Sequence, residues 1–287
     1  MHELPVFGQE RKSGKLQHQK DQSSVILNRE IKVNERQKLL KQVTALEPWF
    51  YTFDLGNGEI VESKLPKNIQ GIHETRLQMV LSAVEKHFSN RLPNVKCLDI
   101  GCHEGFFSFE ISKKVMSVTA LDVRNESLQK AELIQKLSCA KNINFRYGDC
   151  HELDQYISEP YDLTLFLGVL YHLSDPIGAL LNIAKVTKEL CVIETQVIDD
   201  IAGQTEWGSK DWHREYKGTF ALIDERPEYD NACPEAGSFG LILCPSLTAL
   251  LFILRAVGFK RIELIAPPVN GYEQHVRGKR VILTAAK

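Results

Sequence analysis

Three aspartates are spaced so that they could serve one ligand. Asp99, Asp122 and Asp149 each stand at or just beyond the carboxyl end of a predicted strand, over 95–100, 118–123 and 143–147. In open α/β sheets ligands bind outside the carboxyl ends of the strands, so the three carboxylates are expected in one crevice. Between the first two lies Leu98-Asp99-Ile100-Gly101-Cys102-His103-Glu104-Gly105, a buried-strand pattern running into a glycine turn. At Gly101 and Gly105 a Cβ would keep the backbone away from a ligand. Asp122 follows Gly101 by 21 positions (122 − 101), a spacing at which an acidic side chain accepts the two hydroxyls of a ribose. A two-glycine turn also joins strands to helices in proteins that bind nothing, and it is the repeated acidic tips that argue for a nucleotide-like ligand. A dinucleotide is a poor fit: the third glycine of its fingerprint would fall within 106–108, where none stands.

A second constellation is Gly168-Val169-Leu170-Tyr171-His172-Leu173, directly after the apolar run 161–167. His172 has the side chain whose ordinary pKa suits a general base at neutral pH, and its place after the fourth strand puts it at the same crevice. The alternative is that His172 bonds a backbone group and shapes the loop. Tyr171 either faces a cation or acceptor or packs over a ring. Glu194 and His213 are further candidates for acid–base work.

These groups need a scaffold that alternates strands and helices, and the chain supplies one. Helical spacing of apolar residues predicts helices over 73–88, 106–113, from Asn125 with Leu128, Ala131, Ile134 and Leu137, from Asp175-Pro176, and over 246–257, stopped by Gly258. The continuous apolar runs 161–167 and 190–197 read as strands buried on both faces of a parallel sheet. Two closing strands, 261–265 and 280–285, are joined through Pro267-Pro268 and Gly271, which makes an antiparallel terminal pair.

Residues 1–48 differ in character, with nine Lys/Arg over six Asp/Glu and no strand signal; residues 1–24 are polar, whereas Ile31, Leu39, Leu40, Val43 and Leu46 line one side of a helix over about 28–45. Residues 48–58 follow as an aromatic strand closed by Gly56-Asn57-Gly58. The expected organisation is an N-terminal appendage, 1–72, and a main domain, 73–287. An insertion at 199–240 carries Trp207, Trp212, His213, Tyr216, Phe220 and Tyr229 with little periodicity. So long a loop is rarely idle, and it is either a lid whose rings pack on the substrate, the contact of a homodimer, or a helical patch with its own small core.

The net charge of −2 gives no general attraction to nucleic acid or membrane, and the longest apolar runs are far below the ~20 residues a bilayer demands. With no apolar signal region at the N-terminus, a cytoplasmic protein is expected. Seven cysteines without a Cys-x-x-Cys pair mostly sit in apolar stretches and read as reduced core residues, not bridges or metal ligands.

The order and spelling of these segments resemble the class I S-adenosylmethionine-dependent methyltransferases over most of 95–287. The resemblance implies a doubly wound, mostly parallel seven-stranded sheet, the Rossmann-like methyltransferase fold. It also implies S-adenosylmethionine as cofactor. Asp99 and the turn from Gly101 through Cys102 to Gly105 would hold the methionine end, Cys102 by its backbone. Asp122 would hold the ribose, Asp149 with Cys150 the adenine, and Gly168 would complete the cofactor site. The 168–173 string, followed by Glu194-Thr195-Gln196-Val197-Ile198-Asp199 and Pro245-Ser246, resembles the tRNA wobble-uridine 5-oxyacetate methyltransferase family and its relatives. In the branch of that family using carboxy-S-adenosylmethionine, a tyrosine matching Tyr171 helps hold the extra carboxylate, and Arg277 falls near a C-terminal arginine with a similar task. That branch's lysine has no match at Lys64 or Lys67, which favours ordinary S-adenosylmethionine. The activity implied is transfer of a methyl group to a hydroxyl, with His172 and Tyr171 as catalytic residues and Trp207, Trp212, His213 and Arg277 on the substrate side. The acceptor is a modified tRNA uridine, which would make this a tRNA modification, or a small molecule or glycan. A module that binds the cofactor without turnover is the remaining alternative.

Overall fold

The computed structural model describes residues 33–206, 212–226 and 240–287. They divide into two compact units, Met1–Glu47 and Pro48–Lys287. The described part of the first unit is one helix, α1, residues 33–45, closed where the Leu46 N–H donates to Gln42 and Val43 carbonyls.

The second unit is built on a seven-stranded sheet. Its members are β3 (Lys96–Ile100), β4 (Ser117–Asp122), β5 (Ile143–Tyr147), β6 (Tyr161–Leu167), β7 (Thr187–Gln196), β10 (Arg261–Ile265) and β11 (Arg280–Ala286), in the order β10-β11-β7-β6-β3-β4-β5. All neighbours are parallel except β11, which runs antiparallel to both β7 and β10. The central strands carry the most apolar sequences because helices cover both faces: Leu163, Leu165 and Phe166 of β6 and Cys191, Val192 and Ile193 of β7 have no exposed surface. After β3 the chain adds β4 and β5 on one side and then crosses to add β6 and β7 on the other. The strand order therefore reverses between β3 and β6, and the crevice beyond their carboxyl ends is where such a sheet binds ligands.

All but one of the longer helices start where the sequence signals them. α2 (Lys67–Phe88) begins right after Pro66, six residues before the start expected from apolar spacing, and buries Met79, Val80, Ala83, Val84 and Phe88. α3 (Phe106–Ser112) leaves the glycine turn and α4 (Asn125–Ser138) follows β4. After the single turn α5 (Leu153–Tyr156), α6 (Pro176–Val186) has Pro176 in its first turn and the Asp175 carboxylate accepting from the Gly178 N–H at 2.8 Å. α7 (Leu247–Ala256) is capped by Ser246, whose Oγ accepts from the Ala249 N–H, and α8 (Glu273–Val276) is a single turn before β11. Among the described residues no helix is long and apolar enough to cross a membrane.

Two regions depart from the pattern expected of them. The aromatic segment forms only a short antiparallel pair, β1 (Phe53–Asp54) with β2 (Ile60–Val61), around Gly56, Asn57 and Gly58, all at positive φ. Phe50 and Tyr51 are not in a strand because the Glu104 carboxylate takes their N–H groups. Within 199–240, residues 220–224 do pair: β8 (Phe220–Asp224) lies antiparallel to β9 (Leu241–Pro245). The alternation was hidden because β8 leaves Leu222 and Ile223 exposed.

Candidate active site

The strand tips enclose a cavity of about 530 Å³, within the roughly 300–1,000 Å³ usual for small-molecule and cofactor sites. One wall comes from the glycine turn and the acidic tips. Gly101 has φ +74°, and a Cβ there would stand 2.3 Å from Val169 Cγ2, so glycine is required both by backbone and by space. The turn is tied to β4 by the Gly101 and Cys102 N–H groups, which donate to the Leu121 carbonyl at 2.8 and 2.9 Å. The Asp122 carboxylate accepts from the His103 N–H at 2.7 Å and the Arg124 N–H at 2.9 Å. Burial pushes its carboxyl above the ordinary value while the backbone donors oppose that rise. His103, a non-glycine residue at φ +52°, is held in the left-handed region by that bond and by packing on Phe50 and Tyr51. Asp149 accepts from the His151 backbone N–H at 2.8 Å and lies 3.0 Å from its Nδ1; His151 Nε2 faces the Asp175 carbonyl at 3.0 Å. Asp149, Cys150 and His151 cluster closely enough to suggest a metal site, but the carboxylate and imidazole are committed to each other, and burial pushes the Cys150 thiol up to about 12.

The opposite wall centres on Glu194, on β7, which is fully buried. Its Oε2 accepts from Arg76 Nη2 at 2.9 Å and its Oε1 from Arg280 Nη1 at 2.7 Å. Burial alone would raise the Glu194 carboxyl; the guanidiniums of Arg76 and Arg280 outweigh it and hold the group below its usual value. Arg280 also donates from Nη2 to the Tyr171 hydroxyl at 3.0 Å and from Nε to Gln274 Oε1 at 3.1 Å, and lies 4.8 Å from the Tyr171 ring centroid. Next to Tyr171, His172 Nδ1 is 2.9 and 3.2 Å from the two oxygens of Glu225, just after β8. Burial lowers the His172 pKa and the Glu225 carboxylate opposes that fall.

A third side is the segment at residues 48–53. Glu104, inside the glycine turn and 2% exposed, accepts from the Phe50 and Tyr51 N–H groups and from Lys130 Nζ at 2.9 Å; Lys130 also donates to the Pro48 carbonyl and lies over the Trp49 ring. Tyr51 stacks on Phe106 with ring centroids 4.8 Å apart, and Phe50 and Tyr51 line the cavity.

Of the residues the sequence pointed to, Gly101, Asp122, Asp149, Cys150, Gly168, Tyr171 and His172 line this one cavity. Asp99, Cys102 and Gly105 lie behind its wall. Asp99 is buried and accepts from Ser108 Oγ at 2.6 Å, its carboxyl pushed up to about 6 by burial. The Cys102 thiol is buried and raised, and a Cβ on Gly105 would strike the Phe145 ring at 2.8 Å. Trp212 is 65% exposed, and both it and His213 are off the cavity wall; Trp207 lies outside the described residues. Arg277 is exposed and paired with Glu273, because it sits on the outer side of the turn before β11, and the C-terminal arginine on the cavity wall is instead Arg280, the first residue of that strand. Sequence reasoning passed over Arg76, Glu104, Glu225 and Arg280. Glu104 alone carried a local signal, an acid within a glycine turn; the others reach the site from elements far apart in the chain.

A family described as a methyltransferase domain matches residues 92–236. The chain belongs to that family, and its domain is a class I S-adenosylmethionine-dependent methyltransferase domain. It is 25% identical over 117 residues to the ubiquinone biosynthesis O-methyltransferase of Rickettsia akari, covering 41% of this chain and 45% of that protein. It is 31% identical over 162 residues to the tRNA U34 carboxymethyltransferase of Wolinella succinogenes, covering 54% of this chain and 52% of the relative. The chain thus spans about half the length of the curated relatives it matches. Among solved structures, the N-terminal domain of EvdMO1, crystallised in the presence of SAH and D-fucose, shares the fold with a TM-score of 0.64 at 20% identity, over 88% of this chain and 96% of that one.

Proposed function

We propose that the protein transfers the methyl group of S-adenosylmethionine to the hydroxyl of a small molecule, with His172 as general base. The observation that carries this reading is that one cavity is lined by the acidic strand tips and by a histidine with an open ring nitrogen. His73 has both ring nitrogens buried without a partner, its pKa lowered to about 3 by burial, and His103 has its Nδ1 buried in the same way. His151 has both nitrogens engaged. His172 has Nδ1 on Glu225, while Nε2 is not among the buried unpartnered atoms and makes no hydrogen bond to the described residues.

The donor set suits the cofactor. Each Asp122 oxygen has one lone pair on a backbone N–H and a second left for a ribose hydroxyl. Asp149 and Cys150 take the adenine, and the backbones at Gly101 and Gly168 take the methionine end. Asp99, Cys102 and Gly105 act from behind by fixing the turn. When bound, the cofactor supplies a methyl carbon activated by its sulfonium. The protein then has mainly to align, and good orientation can contribute ~7–11 kcal/mol. His172 Nε2 takes the acceptor's hydroxyl proton, a contribution of ~10²–10⁴-fold. Tyr171, fixed by Arg280, walls the acceptor side. The insertion reaches the cavity through Glu225, which stands beside His172 on the acceptor side.

An acceptor of small size is supported by the net charge of −2, since a surface tracking RNA phosphates carries a basic excess. A tRNA uridine is supported by the 31% identity to the Wolinella relative and is separated by the same experiment. Extracts lacking the protein are incubated with it and methyl-labelled S-adenosylmethionine. Label in the small-molecule fraction is expected; label confined to RNA replaces the acceptor assignment, and S-adenosylhomocysteine binding by calorimetry with no label in any fraction leaves a non-catalytic module.

A further inference from the structure

We propose that Glu225, contributed by the insertion, is the positioning residue of the base, so that the histidine is set for catalysis by a carboxylate that stands just after β8. This rests on the reading of His172 as base. Glu225 and His172 are 53 positions apart, on different elements, yet both carboxylate oxygens lie within 3.2 Å of Nδ1 and both residues line the cavity. A carboxylate in that place accepts only from a protonated Nδ1. It therefore fixes the tautomer in which Nε2 carries the lone pair, and it stabilises the imidazolium formed when Nε2 takes the acceptor's proton. The placement is built in: the Leu243 N–H of β9 donates to the Leu173 carbonyl, and the Glu225 N–H donates to the Gly240 carbonyl just before β9, so the strand paired with β8 is bonded directly to the residue after the histidine. The groups that act on His172 are Glu225 from the hairpin, Arg280 from β11, Arg124 beyond β4 and Tyr171 beside it; Glu225 is also felt by Cys244 of β9. Of these only the Glu225 carboxylate favours the charged imidazole by a direct bond, with both arginines opposing it.

The test uses the full chain with ¹⁵N-labelled histidine and the isosteric variant Glu225→Gln. In the wild type the His172 ring is expected as a single tautomer, protonated at Nδ1 when neutral. In Glu225→Gln the ring titrates at lower pH and loses that single tautomer, because the charge supporting the proton is gone. With the acceptor fraction identified above, kcat falls roughly 10- to 100-fold, part of the ~10²–10⁴-fold a base contributes. The acidic limb of the kcat/KM profile moves to lower pH, and KM changes little. Glu225→Asp keeps the charge and restores the higher titration in part. Calorimetry with S-adenosylhomocysteine shows each variant to be folded. Adding Glu225→Gln to His172→Asn costs no further rate if the carboxylate acts through the ring. An unchanged tautomer and titration in Glu225→Gln overturns the proposal even if His172→Asn is inactive. Full activity in His172→Asn with the tautomer effect intact overturns the base reading instead.

Discussion

The cavity has two sides built in opposite ways. On the side proposed for the adenosyl group, Gly101, His103, Asp122, Arg124 and Asp149 belong to successive strand tips, and the chain's own backbone supplies the bonds: the Asp122 carboxylate is held by N–H groups 19 and 2 positions away. On the side proposed for the acceptor, Arg76, Tyr171, Glu194, Glu225 and Arg280 come from five separate elements, and side chain holds side chain across 53 to 118 positions. The first kind of site follows from a fold once it forms. The second exists only because β11 threads antiparallel between β7 and β10 and α2 packs across, bringing two arginines to one carboxylate.

If that contrast holds, the largest effect belongs to the centre of the acceptor side. Glu194→Ala leaves two buried guanidiniums without their anion and is expected to cost about 3–5 kcal/mol in urea denaturation. Loss within the range of a surface substitution would break the contrast. The sign with pH follows from the depressed carboxyl: its stabilisation is full above the ordinary value of 4.5 and is lost as the pH falls through the lower folded value. A stability curve flat across that window in the wild type would argue against an ionised Glu194. Next comes His172→Ala, expected to lower turnover ~10²–10⁴-fold while S-adenosylhomocysteine affinity stays near native. An unchanged rate would discard His172 as base. Asp122→Ala should weaken S-adenosylhomocysteine by about 100-fold, two hydrogen bonds to a charged group at ~1.5 kcal/mol or more each. Native affinity in that variant would remove the ribose assignment and with it the meaning of the adenosyl side. The smallest effect sharpens the boundary. Arg277→Ala is expected to change neither stability nor turnover measurably, since its ion pair is exposed, whereas Arg280→Ala should impair both.

The sequence displayed the two sides unequally for the same reason. The acidic tips were legible because strand, turn and acid are contiguous and the spacing between glycine and aspartate is fixed by one βαβ unit. His172 and Tyr171 were legible by their place after the fourth strand, but not by what holds them. Arg277 and Arg280 differ by three positions, and nothing in composition says which of the two faces inward; the register of β11 against β7, which pairs Arg280 with Gln196, decides it. The aromatic segment read as a strand because its residues favour strands, yet a buried carboxylate from the glycine turn took its N–H groups instead.

By itself, the sequence determined the alternation of strands and helices, the parallel core and the row of acidic strand tips, because each depends on periodicity and spacing within one stretch of chain. Only the tertiary structure decided which charges meet: Glu194 with Arg76 and Arg280, Glu104 with Lys130, and His172 with Glu225. Those pairs depend on crossovers and strand register, and a buried charge finds its partner by proximity in space, which no local pattern records.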